Sequence, residues 1–164
     1  AFHYMLTRPE LFASVSSLSG AFLEDLASGE GPLGDLLGEY EKNTEAYLRC
    51  GIYNRVAERV ATGESLPPML IHCGTEDFLL EENRKLASFL IAQNKAIRER
   101  LAPQVADEQD ERQRSRKLDA LMAEHRLDFL HVESPGAHNW AFWRDASEAV
   151  VDFHWRSFQK AAAE

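Results

Sequence analysis

The sequence predicts an open α/β fold, a mostly parallel sheet with helices on both faces, and three observations carry that reading. Short apolar runs that end in glycine or polar turns alternate along the chain with longer stretches of helical composition. The clearest run, Leu66-Pro67-Pro68-Met69-Leu70-Ile71-His72-Cys73-Gly74, has two prolines leading in, an apolar body and a glycine leading out. The chain has 164 residues, 45% of them apolar and 10% aromatic, which is enough for one core and too apolar for a disordered tail.

The elements follow in order. Residues 1–7 are apolar at nearly every position and stop at Arg8-Pro9, where proline disfavours helical geometry in the residue before it. They read as the end of a buried helix whose beginning lies upstream, so Phe2, Tyr4 and Met5 are expected to lack partners in this chain alone. Residues 11–18 (LFASVSSL) read as a strand buried through Phe12, Val15 and Leu18. Recurrent glycine over 21–38 suggests a loop with a short helix, and 39–48 and 54–62 have helical composition.

After the strand at 66–74, residues 81–101 place Leu86, Phe89, Leu90, Ile97 and Leu101 at 3- and 4-residue spacings, the stripe of an amphipathic helix that lies on the sheet. Residues 103–126 continue helical, but seven basic and seven acidic residues fall between Arg98 and Arg126. That stretch, taken with its start as an insertion over 102–126, is a solvated helix held by pairs of opposite charge, with a lid or oligomer contact as the functional alternative. Residues 129–132 (FLHV) form a third strand closed by Ser134-Pro135-Gly136, and 140–158 a last helix with Val150, Val151, His154, Trp155 and Phe158 on one side. Three strands are few for a sheet of this kind, so others are expected upstream.

Composition excludes several functions. Eighteen basic against 27 acidic residues give a net charge of -9, which repels phosphate backbones and argues against a nucleic-acid partner. No apolar run approaches the roughly 20 residues of a membrane span, and the start shows no secretion signal. Cys50 and Cys73 are too few for a disulfide scaffold and too far apart for a zinc knuckle, so they read as free thiols in a reducing, cytoplasmic compartment.

In an open α/β sheet, ligands bind outside the carboxyl ends of the strands. Two such ends carry groups suited to catalysis: Gly74-Thr75-Glu76-Asp77-Phe78 after the second strand and Pro135-Gly136-Ala137-His138-Asn139-Trp140 after the third. An aspartate and a histidine delivered to one edge by neighbouring strands form the orienting half of a Ser-His-Asp triad. Asp77 would accept from one ring nitrogen of His138 and stabilise the imidazolium formed when the other takes a proton. The chain order, acid before histidine, fits the order Ser…Asp…His. His72, His131 and His154 stand among apolar residues and read as structural histidines. A zinc site of His72, Cys73, Asp77 and His138 fails because adjacent strand residues point to opposite faces, so no metal is expected.

The stretches His72-Cys73-Gly74-Thr75-Glu76-Asp77-Phe78 with Glu82-Asn83, and Ser134-Pro135-Gly136-Ala137-His138-Asn139-Trp140-Ala141-Phe142-Trp143, closely resemble the acid and histidine motifs of an esterase family of α/β-hydrolases. That family includes S-formylglutathione hydrolases, tributyrin-type esterases, feruloyl and acetyl-xylan esterases and mycolyltransferases. Arg8-Pro9-Glu10-Leu11-Phe12 and Ser17-Leu18-Ser19-Gly20-Ala21 resemble the segment following its nucleophile helix. The resemblance implies that 1–164 is the C-terminal half of a single α/β-hydrolase domain, with Asp77 as triad acid and His138 as general base. Trp140 and Trp143 follow His138 at i+2 and i+5: either Trp140 lines the substrate pocket, or both pack the start of the last helix.

The family's nucleophile elbow, glycine-x-serine-x-glycine-glycine, would end just before Ala1, so the serine and the oxyanion hole are expected upstream. Gly63-Glu64-Ser65-Leu66-Pro67 imitates the elbow but has proline in place of the second glycine and precedes a strand, where an elbow follows one; Ser65 is not expected to be a nucleophile. The function implied is a serine carboxylic-ester hydrolase working through an acyl-enzyme without cofactor. Its partners are a small-molecule ester, the N-terminal half of the same domain and a possible second copy in a homo-oligomer. An acyltransferase of the same fold, or a non-catalytic hydrolase-like interaction module, are the alternatives.

Overall fold

The computed structural model describes residues 1–22 and 32–163. Three strands, β1 (Val15–Leu18), β2 (Met69–Gly74) and β3 (Phe129–Ser134), lie side by side in that order, and both pairings are parallel. Val15 is level with Met69, and Met69 with Phe129, so the three carboxyl ends finish on one edge. The helices are α1 (Phe2–Thr7), α2 (Pro32–Leu37), α3 (Tyr40–Cys50), α4 (Ile52–Thr62), α5 (Leu80–Leu101), α6 (Glu111–His125) and α7 (Trp140–Ala161).

Alternation along the central strand assigns the two faces. Met69 and Ile71 point to one side and pack with α1 (Phe2, Met5, Leu6), α4 (Val56, Val60) and α5 (Leu86, Leu90, Ile97, Leu101). Leu70 and His72 point to the other side, where α7 brings the ring of Phe142 to a centroid distance of 5.3 Å from that of His72. Every residue of β2 is buried, as a central strand covered on both faces requires. Each large aliphatic side chain in this core is worth about 2–5 kcal/mol against alanine.

Four expectations are corrected. The first strand begins only at Val15, because Pro9 starts a 3₁₀ turn over Pro9–Leu11; Phe12 is exposed and only Val15 of the three expected anchors is fully buried. Phe2 and Met5 do find partners, Phe2 packing edge-on against Phe22, whereas Tyr4 is exposed. The helix expected over 103–126 is broken: a second 3₁₀ turn covers Ala102–Val105, and α6 restarts at Glu111, where Asp110 accepts from the N–H groups of Arg112 and Gln113. The last helix is seated by Phe142, Ala146 and His154, and Val151, Trp155 and Phe158 are exposed.

The stretch 21–38 contains the short helix α2, and residues 23–31 of it lie outside the described residues. No residue of α6 is fully buried; it leans on α5 through contacts that include Arg98 with Asp119 at 3.1 Å. Among the described residues no helix is long and apolar enough to cross a membrane.

Candidate active site

Two turns meet beyond the carboxyl end of the sheet, and two glycines let them meet. The Thr75 N–H donates to the Ser134 carbonyl and the Glu76 N–H to the Gly136 carbonyl, both at 2.9 Å, so the loop after β2 is hydrogen-bonded to the loop after β3. A Cβ on Gly74 would lie 2.1 Å from the Gly136 carbonyl oxygen, inside any permitted contact. Gly136 has φ +139°, a conformation that side chains rarely adopt, and a Cβ there would meet the Phe142 ring at 2.8 Å. These two residues set the close approach that brings the turn of Asp77 to the turn of His138.

The Asp77 side chain is fully buried and the His138 ring about one-third exposed. His138 Nδ1 faces the carboxylate at 3.2 Å from Oδ1 and 3.1 Å from Oδ2. With Nδ1 held there, Nε2 is the nitrogen left to take and return a proton. Burial alone would push the Asp77 carboxyl up, but hydrogen bonds from the Ser19 hydroxyl and the Leu79 N–H, together with His138, outweigh it and hold the carboxyl below its ordinary range. The Leu79 N–H reaches Oδ1 at 2.9 Å. Asp77 is therefore ionised at neutral pH and faces Nδ1 of the imidazole as a carboxylate.

Aromatic rings surround the imidazole. Phe78 lies 4.7 Å from it and Trp143 5.0 Å, centroid to centroid, and Trp140 stacks edge-on against Trp143 at 5.1 Å. Trp140 is 81% exposed and Phe78 75%, so both present apolar surface beside the histidine. Asn139 caps α7 by accepting from the Ala141 and Phe142 N–H groups at 3.1 Å, which fixes where the helix starts relative to His138. Asn83, fully buried, donates from Nδ2 to the carbonyls of Gly20 and Leu79 and ties the exit of β1 to the start of α5.

Of the three residues expected at the site, Asp77 and His138 are in contact, and Trp140 stands one ring removed from the imidazole. Ser65 precedes β2, at the opposite end of that strand from His138. His154 is a satisfied structural histidine, with Nδ1 2.7 Å from the Ser14 hydroxyl and Nε2 2.9 Å from that of Ser16. His72 is half satisfied: Nε2 meets the Ser134 hydroxyl at 2.8 Å, and buried Nδ1 has no hydrogen bond among the described residues. His131 lies 3.8 Å from Glu133, beyond hydrogen-bond range. Among the described residues no group of three or more His, Cys, Asp and Glu side chains is placed to hold a metal ion.

Ser19, Phe78 and Leu79 were not singled out from the sequence, and Trp143, read only as packing the start of the last helix, packs against His138 and donates to Ser19. The signal for Ser19 was its position at the exit of the first strand, the same edge that picked out Asp77 and His138. Cys73 is buried beside the site, its thiol pushed up to about 11 by burial and by the charge of Asp77, and it stays protonated.

No protein-family profile matches the chain, and no curated protein does. Solved structures do match. S-formylglutathione hydrolase from Staphylococcus aureus, as apoenzyme, superposes with a TM-score of 0.55 at 21% identity, over 93% of this chain and 45% of its own. The fluorophosphonate-binding serine hydrolase F of Staphylococcus aureus, with substrate bound, gives 0.57 at 20% identity, over 93% and 48%. A ferulic acid esterase gives 0.55 at 19% identity, over 96% and 47%. The chain thus spans a little under half the length of the solved structures it matches, and it has part of an α/β-hydrolase fold.

Proposed function

We propose that this chain supplies the acid and the base of a serine carboxylic-ester hydrolase. One observation carries the reading: His138 Nδ1 faces the buried, ionised carboxylate of Asp77 at the carboxyl edge of a parallel sheet. That pairing leaves Nε2 to act as general base toward a serine hydroxyl and then as general acid toward the leaving alcohol. The nucleophile and oxyanion hole come from residues upstream of Ala1, the N-terminal half of the same domain. His138 takes the serine proton as the serine attacks the ester carbonyl, and the alcohol leaves with a proton from the imidazolium, giving an acyl-enzyme. Water, deprotonated by the same nitrogen, then releases the acid. Asp77 stays ionised throughout.

The substrate is a small ester, and Trp140 with Phe78 lines its pocket. The solved structures of like fold are named as an S-formylglutathione hydrolase, a serine hydrolase and a ferulic acid esterase, which supports the class of reaction. A cytoplasmic setting belongs to the proposal, supported by the two free thiols Cys50 and Cys73. The test is a serine-directed fluorophosphonate probe applied to the full-length protein, with His138→Ala beside it. Labelling of one serine upstream of Ala1, abolished in the variant, is the expected result. Full labelling of the variant overturns the role of His138.

A further inference from the structure

We propose that Ser19 is a positioning residue for the Asp77–His138 pair, its buried hydroxyl linking the Trp143 indole to the Asp77 carboxylate. The inference rests on the reading of that pair as acid and base, and it adds a group from a third strand exit.

The direction of each hydrogen bond follows from the groups. An indole N–H only donates, so at 3.3 Å from Trp143 Nε1 the Ser19 oxygen is the acceptor, and the hydroxyl proton must go elsewhere. Two groups lie within its reach, the Cys73 sulfur and the Asp77 carboxylate. Cys73 is a protonated thiol, a weak acceptor, whereas a buried carboxylate is a strong one. The proton therefore points to Asp77. Trp143, which donates to Ser19, also packs its ring edge-on against His138, so one hydroxyl couples the acid to the wall of the base.

The backbone is set to hold this arrangement. Ser19 has φ +54°, the one positive-φ residue other than glycine among the described residues. It is locked there from both sides: its N–H donates to the His72 carbonyl at 2.9 Å, and the next carbonyl, of Gly20, accepts from buried Asn83 at 2.9 Å. A left-handed serine next to a glycine that could have taken the turn is a conformation kept for its side chain. With the Leu79 N–H and His138 Nδ1, the hydroxyl gives the carboxylate three donors from three segments, which fixes its plane toward the imidazole.

The test uses Ser19→Ala and Ser19→Gly in the full-length protein. Both remove the hydroxyl, but they affect the backbone oppositely, since alanine keeps the left-handed strain and glycine relieves it. The side-chain carboxyl of Asp77, followed by carbon-13 NMR against pH, should titrate about one unit higher in both variants than in the wild type. Turnover of an activated acetate ester should fall about 10- to 100-fold in both, with KM within about threefold. An unmoved Asp77 midpoint, or a glycine variant that behaves as wild type, overturns the proposal, the latter because the position would then matter only through its backbone. A wild-type protein without esterase activity would instead refute the hydrolase reading, and the Asp77 titration would still decide for or against the Ser19 link.

Discussion

His138 presents Nδ1 to both oxygens of the Asp77 carboxylate, at 3.2 and 3.1 Å, across a separation of 61 residues in sequence. A bifurcated contact of this kind holds the ring in one tautomer and one plane and stabilises positive charge on it. In the full-length protein, His138→Ala should lower kcat by about 10⁴-fold or more and Asp77→Asn somewhat less, since the asparagine keeps the shape but not the charge. Far-ultraviolet circular dichroism should show both variants folded. Near-normal kcat for the histidine variant would remove the assignment.

The geometry of that contact also depends on the absence of a side chain at Gly74. A methyl group on Gly74 meets the Gly136 carbonyl oxygen at 2.1 Å, and backbone cannot give way as a flexible side chain does. Gly74→Ala should push the Gly136 turn outward and break the hydrogen bond from the Glu76 N–H. The expected outcome is a loss of roughly 1–3 kcal/mol in stability and a loss of turnover disproportionate to it. Urea unfolding beside steady-state kinetics reads both, and unchanged kcat in the variant would show that the two turns do not need this approach.

The fold was legible because burial wrote itself into composition. The run from Met69 to Cys73 reads as a buried strand, and the 3- and 4-residue spacing of Leu86, Phe89, Leu90, Ile97 and Leu101 reads as the helix that covers it. Asp77 and His138 were legible because strand exits place ligands, and their turn residues resemble a known pair of motifs. What was hidden depended on long-range contact. The local pattern at Phe12 alternates like strand, but Pro9 consumes those residues in a 3₁₀ turn, and only Val15 onward finds a partner in Met69. The charged stretch after Arg98 has helical composition throughout, yet Pro103 and Asp110 divide it. Ser19 is one of five serine and threonine residues in the first 20, and only the packing of Trp143 and Asp77 sets it apart.

Burial also makes stability depend on pH. His72 and His154 both have ring pKa values held below the ordinary histidine value of 6.5 by burial, with His131 adding to the effect at His72. A folded-state pKa below the unfolded one means that the fold favours the neutral ring. The stability these residues contribute is therefore complete above about pH 6.5 and is lost as pH falls from there through their folded values. Urea midpoints measured between about pH 7.5 and pH 5 should fall with pH, and His154→Gln should flatten that slope. A slope unchanged by the substitution would show that His154 does not titrate on unfolding.

Trp140 separates binding from chemistry. Its ring is 81% exposed and touches Trp143, and Trp143 in turn touches His138, so truncation removes apolar surface beside the site without touching the acid–base pair. Trp140→Ala should raise KM for esters with a bulky acyl or alcohol group about 10-fold, leave kcat within about threefold, and hardly alter the KM for an acetate ester. Trp140→Phe should restore most of the difference, because the lost term is apolar contact and the indole N–H has no assigned role. An equal change for large and small esters would mean that Trp140 acts on the position of Trp143 and His138, and would remove it from the pocket wall.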